Sequence, residues 1–236
     1  MHQDQRAQAT LTLLTEGEVE LKGRMPWSTN QTFLVELTRG DEALLGVYKP
    51  GRGERPLWDF PGGLYRREVA AWVLSELLGW GLVPETVLRD GPLGEGSVQR
   101  FVEADFTQHY FTLYEDPSHH DALRALCVFD ILANNTDRKS GHCLLAEGRI
   151  WAIDNGLCFH PSPKVRTVIW EFGGEAIPDD LLADVERLLA RLPGGLVALV
   201  GPAELAAVTR RAEWLLRTGV FPVPDPLGHC YPWPLV

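Results

Sequence analysis

The feature that most restricts this fold is a change of hydrophobic period near residue 103. Before it, short runs rich in β-branched and aromatic residues alternate with turn residues and read as strands: Glu18–Met25, Thr32–Thr38, Ala43–Lys49, Thr86–Arg89 and Ser97–Val102. One helix, Leu64–Leu78, interrupts them, with Val69, Trp72, Val73 and Leu77 at helical spacing and glycines at 79 and 81 to end it. A second, short helix is expected over Ala9–Leu14. After residue 103 the pattern turns helical: one helix from Ser118 through Leu132, one from Asp179 to Arg191 and one from Pro202 to Arg217. A single hairpin, Cys143–Ala146 and Ile150–Ile153, breaks that half, and a proline-rich irregular tail follows Phe221.

Strands first and helices second give an α+β fold in two lobes. We expect residues 1–103 to form a sheet with one helix and residues 104–236 a mainly helical lobe, the two making one domain. A cleft between lobes is a common place for a ligand. At 236 residues, 45% hydrophobic and 23% charged, the chain has the composition of a globular protein with a real core. Acidic residues outnumber basic ones 32 to 22, for a net charge of −10. No basic face is visible, which argues against nucleic acid as a partner. The four cysteines lack C-x-x-C spacing, the N-terminus has no apolar signal core, and no run nears the roughly 20 apolar residues of a membrane span. The expectation is a cytoplasmic protein with free thiols and no stable membrane insertion.

The densest polar cluster runs from Asn134 to His142 between an apolar helix and an apolar strand. After the hairpin, Asp154 ends a strand before Asn155-Gly156. Two carboxylates flanking a short hairpin can converge on one point, as metal–phosphate sites require. Lys139 lies two residues after Asp137 and His142 five after it, the offsets of a protein-kinase catalytic loop. In that reading Asp137 accepts or orients a hydroxyl proton, Lys139 neutralises the transferred phosphoryl group, and Asp154, with His142, holds a divalent cation. The N-terminal half supplies the complement. Lys49 ends the third strand and Glu68 lies in the first turn of the following helix, the order of the kinase lysine–glutamate pair. Each is ordinary alone; together and in this order they support a phosphate site. Ser28, Thr29 and Asn30 occupy the turn where a phosphate-covering loop belongs. Gln99, Arg100, Phe101 and Val102 would enter the lobe connector and meet an adenine edge.

Lys49, Arg67-Glu68, Gln99-Arg100-Phe101-Val102, Asp137-Arg138-Lys139 and Ile153-Asp154-Asn155-Gly156 together resemble the phosphatidylinositol 3-/4-kinase-related group, which includes HipA-like bacterial kinases. A closer likeness to small bacterial proteins of that type rests on Pro56–Pro61, Arg67–Ala71 and Asn134–Lys139, and the resemblance spans about Gly17 to Arg217. It implies a bilobal protein-kinase-like fold, ATP with Mg²⁺ or Mn²⁺, Asp137 as catalytic acid/base and Asp154 as metal ligand. Three positions depart from the group's pattern: Lys139 replaces a histidine, His142 replaces the metal-binding asparagine, and Asn155 stands in place of the phenylalanine of Asp-Phe-Gly, a lesser change because the acid and the glycine remain. Imidazole suits Mn²⁺ or Zn²⁺ better than Mg²⁺. The expected activity is ATP-dependent phosphotransfer to an unidentified protein or small-molecule acceptor rather than a lipid. The rivals are a nucleotide-binding pseudokinase, an AMP transferase on the same fold, and a zinc site of His142, Cys143, Cys158 and His160.

Overall fold

The computed structural model describes residues 2–26, 30–192 and 196–236. Helix α1, His2–Glu16, opens the chain, followed by strands β1 (Glu18–Arg24), β2 (Phe33–Arg39) and β3 (Glu42–Pro50). Helix α2, Leu64–Leu78, precedes β4 (Thr86–Gly91) and β5 (Gly94–Arg100). The second half contains α3 (Tyr110–Tyr114), α4 (His120–Ala133), β6 (Cys143–Ala146), β7 (Arg149–Ala152), α5 (Asp179–Leu189) and α6 (Pro202–Thr218). The five strands form one antiparallel sheet in the order β1-β2-β3-β5-β4, and β6-β7 is a separate hairpin.

Leu14, Val35, Leu37, Tyr48 and Val98 make a compact core under the sheet. A much larger core fills the helical half, and α2 belongs to it: Ala70, Ala71, Leu74 and Leu78 pack in one continuous cluster with Leu126, Phe129 and Leu132 of α4. The helix carrying Glu68 is therefore anchored to the lobe that carries the catalytic-type loop. Arg67 adds polar ties, donating to Cys158 O at 2.8 Å and to Glu204 of α6 at 2.9 Å. The N-terminus of α2 has no side-chain cap of its own, since Gly63 precedes it in a left-handed conformation. Glu54 supplies one from the preceding loop, accepting from Gly63 N–H at 2.9 Å and Tyr65 N–H at 2.8 Å. An acid there also suits the helix dipole.

Three elements differ from the sequence expectation. Helix α1 runs well beyond Ala9–Leu14, because its first turns are good helix formers without an apolar stripe. Strand β5 begins at Gly94 rather than Ser97 and stops at Arg100: pairing of Gly96 with Pro50 and of Glu95 with Asp90 overrides the poor strand propensity of that stretch. Helix α3 was not expected. His120, at the start of α4, is half-buried and stacks on Tyr114 of α3 with ring centroids 4.7 Å apart. Among the described residues no helix is long and apolar enough to cross a membrane, and all four cysteines are free.

Candidate active site

Helix α4 ends at Asn134, whose left-handed conformation (φ 51°) turns the chain into the polar loop. The Asn134 side chain then organises the neighbouring segment, donating to His160 O and Ser162 O and accepting from Lys164 N–H. The loop itself is built around Arg138, which is fully buried. Its guanidinium pairs with Asp130 of α4 at 3.0 Å and also donates to Ile153 O and Asn155 Oδ1. Asp130 further accepts from Asn135 Nδ2 and Thr167 Oγ1. Burial opposes the charge on Arg138, but Asp130 outweighs it and raises the pKa. This closed network fixes the loop against the turn that follows β7.

With the frame fixed, the residues on either side of Arg138 face a cavity of about 380 Å³. Lys49, Glu68, Asp137, Lys139, His142 and Asp154 all line it. Lys49 lies one residue before the end of β3 and donates to Glu68 Oε1 of α2, and its Nζ lies 2.8 Å from Asp154 Oδ1. The other oxygen of Glu68 accepts from Asn155 N–H at 2.9 Å. Glu68 thus joins sheet, helix and the Asp-Asn-Gly turn. Gly156 permits this approach, because a Cβ there would stand 3.2 Å from Glu68 Oε1. Asp154 itself adopts φ 56°, an uncommon backbone conformation for a non-glycine residue and one often found at functional sites.

The charges are tuned in opposite directions. Lys49 holds the Asp154 carboxyl well below the usual range, although 55% of that side chain is open to the cavity. Burial works against the Lys49 charge, but Asp154 and Glu68 outweigh it and raise its pKa. Asp137 is pushed up to about 6, chiefly by burial, with Lys139 at 3.3 Å opposing the shift. Burial lowers His142 to about 4, so its imidazole is neutral at physiological pH. Its Nδ1 accepts from Lys139 N–H at 3.3 Å, which puts the remaining proton on Nε2, 3.5 Å from Asp154 Oδ2. His142 therefore meets Asp154 as a donor. The geometry gives it no free lone pair toward a metal in this arrangement.

The structure brings Lys49, Glu68, Asp137, Lys139, His142, Asp154 and Asn30 to one cavity. Ser28 and Thr29 lie outside the described residues. Gln99, Arg100, Phe101 and Val102 do not line that cavity. Gln99 donates to Thr86, Arg100 pairs with Glu85 and Glu147, Phe101 N–H donates to Leu45 O, and Val102 packs with Leu144 and Trp151. The zinc grouping does not form. Cys143 and Cys158 are fully buried, with burial pushing the Cys143 thiol up to about 12, and His160 packs against Phe60. Among the described residues no set of three His, Cys, Asp or Glu side chains could hold a metal alone. That fits a cation of the Mg²⁺ class, which keeps water and substrate phosphates and needs only one or two protein carboxylates; Asp154 is such a donor. Two residues escaped the sequence reading. Asp130 was signalled by being the lone acid in the apolar run 125–133, and Arg55, which also lines the cavity, by its place in the Gly/Pro loop before α2.

No family model matches the chain. It is 39% identical over 262 aligned positions to Protein Rv2133c of Mycobacterium tuberculosis, an alignment covering 94% of each. Among solved structures it is similar to the Golgi casein kinase with Mn/ADP bound, with a TM-score of 0.57 at 13% identity, covering 95% of this chain and 81% of that one. It is also similar to hydra Fam20 with sugar, with a TM-score of 0.54 at 14% identity, covering 91% and 89%. At such identities the likeness shows the fold, which is protein-kinase-like.

Proposed function

This chain belongs to the family of Mycobacterium tuberculosis Protein Rv2133c, and from that premise and its kinase-like fold we propose that it is an ATP-dependent phosphotransferase acting on an alcohol group. The observation that carries this reading is the convergence of Lys49, Glu68, Asp137 and Asp154 from four separate segments of the chain on one cavity. Lys49, steadied by Glu68, contacts the α- and β-phosphates. Asp137, ionised at neutral pH yet more basic than a free aspartate, takes the proton of the acceptor hydroxyl as its oxygen bonds to the γ-phosphorus and the bond to the β-phosphate oxygen breaks. Lys139 stands beside Asp137 to offset charge on the phosphoryl group. Asp154 would hold Mg²⁺ or Mn²⁺, which when bound supplies electrostatic stabilisation of the phosphate oxygens.

The sequence segments at Lys49, Asp137–Lys139 and Asp154 support a place near the phosphatidylinositol 3-/4-kinase and HipA types. The division at residues 103/104, a protein or small-molecule acceptor, and a reducing compartment suited to free thiols belong to the same reading. His142 favours one alternative, a nucleotide-binding pseudokinase, because it offers Asp154 an N–H where the resembled group has asparagine. The test is ATP-induced thermal stabilisation with Mg²⁺ or Mn²⁺, together with single-turnover ATP hydrolysis. Stabilisation that is lost in both Asp154→Ala and Lys49→Ala is expected; stabilisation unchanged in both would sink the assignment. Binding without turnover would select the pseudokinase.

A further inference from the structure

A second cavity, of about 420 Å³, lies wholly in the helical half, between α4, α6 and the segment 161–165. It shares no lining residue with the interlobe cavity. Its walls are mostly apolar, with Trp170, Trp214, Pro161 and Pro163 prominent, and two guanidinium side chains, Arg210 and Arg211, complete them. The other polar groups there are already used. Asn134 spends its amide on the 160–164 backbone, and Trp170 Nε1 donates to Cys230 O at 3.1 Å.

Arg211 is the anomaly. Its Nε donates to Leu132 O at 2.8 Å, and its Nη2 is buried without a partner. Burial lowers its pKa to about 10, and the adjacent Arg210 adds repulsion. Three other buried or largely buried guanidiniums are matched with acids: Arg138 with Asp130, Arg67 with Glu204, Arg100 with Glu85. Among the described residues neither Arg210 nor Arg211 forms such a pair, in a chain with ten more acidic than basic side chains. A desolvated, unpaired cation is costly, and Arg211, lining an apolar cavity with the exposed Arg210 next to it in sequence, asks for an anion.

We propose that this cavity binds a small aromatic monocarboxylate, its carboxylate on the Arg210–Arg211 pair and its ring against Trp170, Trp214 and the prolines. The volume lies near the low end of the about 300–1,000 Å³ typical of small-molecule sites, which suits one compact ligand. A carboxylate matches the guanidinium fork bidentately, and a monoanion costs less to desolvate in this mostly apolar cavity than a dianionic phosphate. The site stands apart from the kinase reading and does not depend on it.

The probe pair is 2-naphthoate and the uncharged 2-naphthamide, titrated calorimetrically into the full chain. Naphthoate is expected to saturate one site and naphthamide to bind at least about tenfold more weakly, as loss of a charge-assisted bond predicts. Arg211→Met and Trp214→Ala should each weaken naphthoate binding by a similar factor, and Lys49→Ala should leave it unchanged. Arg210→Gln, at an exposed position, keeps the test valid if Arg211→Met fails to fold. No saturable binding at about 5 mM, a Kd beyond useful affinity, would overturn the proposal. So would equal binding of acid and amide, undiminished binding in the folded arginine variants, or loss of binding in Lys49→Ala.

Discussion

Arg138 and Asp137 are adjacent, yet the protein handles their charges in opposite ways. Around Arg138 each guanidinium nitrogen is hydrogen-bonded: the guanidinium and the Asp130 carboxylate bond to each other and to Asn135, Ile153, Asn155 and Thr167. Around Asp137 the valences stay open. The carboxylate has Lys139 beside it and the cavity in front, and Asp154 faces the same space. The contrast separates charges that hold a loop from charges that face a reactant. A buried polar network specifies one conformation when fully satisfied, and that rigidity holds the Asp137 carboxylate at the cavity and Asp154 in its uncommon backbone conformation.

The largest effect that can break this comparison is loss of the open carboxylate. Asp137→Asn should lower kcat by roughly 10²–10⁴-fold, the range for removing a general base, measured as phosphotransfer or ATP turnover. The same variant should be more stable at pH 8, by on the order of 1 kcal/mol in urea titrations. The sign follows from burial raising the Asp137 pKa to about 6. Between the unfolded value and about pH 6 the native state holds more protons, so stability falls as pH rises through that window, and an uncharged amide escapes the loss. Activity should run the other way. In the wild type kcat/KM should climb about tenfold per pH unit below pH 6 and then level off as Asp137 ionises. A flat profile between pH 5 and 7 would remove Asp137 from the role of base.

The closed network should fail differently. Arg138→Met leaves Asp130 buried and unpaired, which costs about 3–5 kcal/mol of stability. Urea unfolding should show this as a large fall in midpoint, with activity lost along with the fold. Asp154→Ala, which removes a half-exposed partner of Lys49, should lower the unfolding midpoint far less and abolish metal-dependent nucleotide stabilisation. If Arg138→Met unfolds no more easily than Asp154→Ala, the distinction between the two sets of charges fails.

Much of this arrangement was legible in the sequence, for a physical reason. The order Lys49, Glu68, Asp137, Asp154 is carried by local patterns, and the fold brings these side chains to one cavity with Lys139 and His142. What escaped depends on distant partners. Glu54 as the cap of α2, nine and eleven residues before its acceptor contacts, has no spacing rule. The length of β5 is set by pairing with Pro50 rather than by its own glycine-rich composition. Gln99–Val102 have the right sequence position for a ligand-facing strand exit, but their side chains found internal partners that no local pattern reveals. The second cavity was invisible because its walls come from α4, the 161–165 segment, α6 and Pro222.

The smallest effect is expected at His142, where the open and closed sets meet. Its Nδ1 is held by the Lys139 N–H and its Nε2 points at Asp154, so it belongs to the loop frame on one side and to the cavity on the other. Neutral imidazole in this tautomer presents a hydrogen to Asp154, which competes with a cation for that carboxylate. His142→Asn replaces the ring with an amide that can turn an oxygen toward the cavity, a harder donor better suited to Mg²⁺. The ratio of kcat/KM in Mg²⁺ to that in Mn²⁺ should therefore rise by about tenfold, the low end of effects from residues that orient a metal ligand. Stability should change little, because the loop's anchor is Arg138. A ratio unmoved by the substitution, with nucleotide binding intact, would assign His142 wholly to the frame.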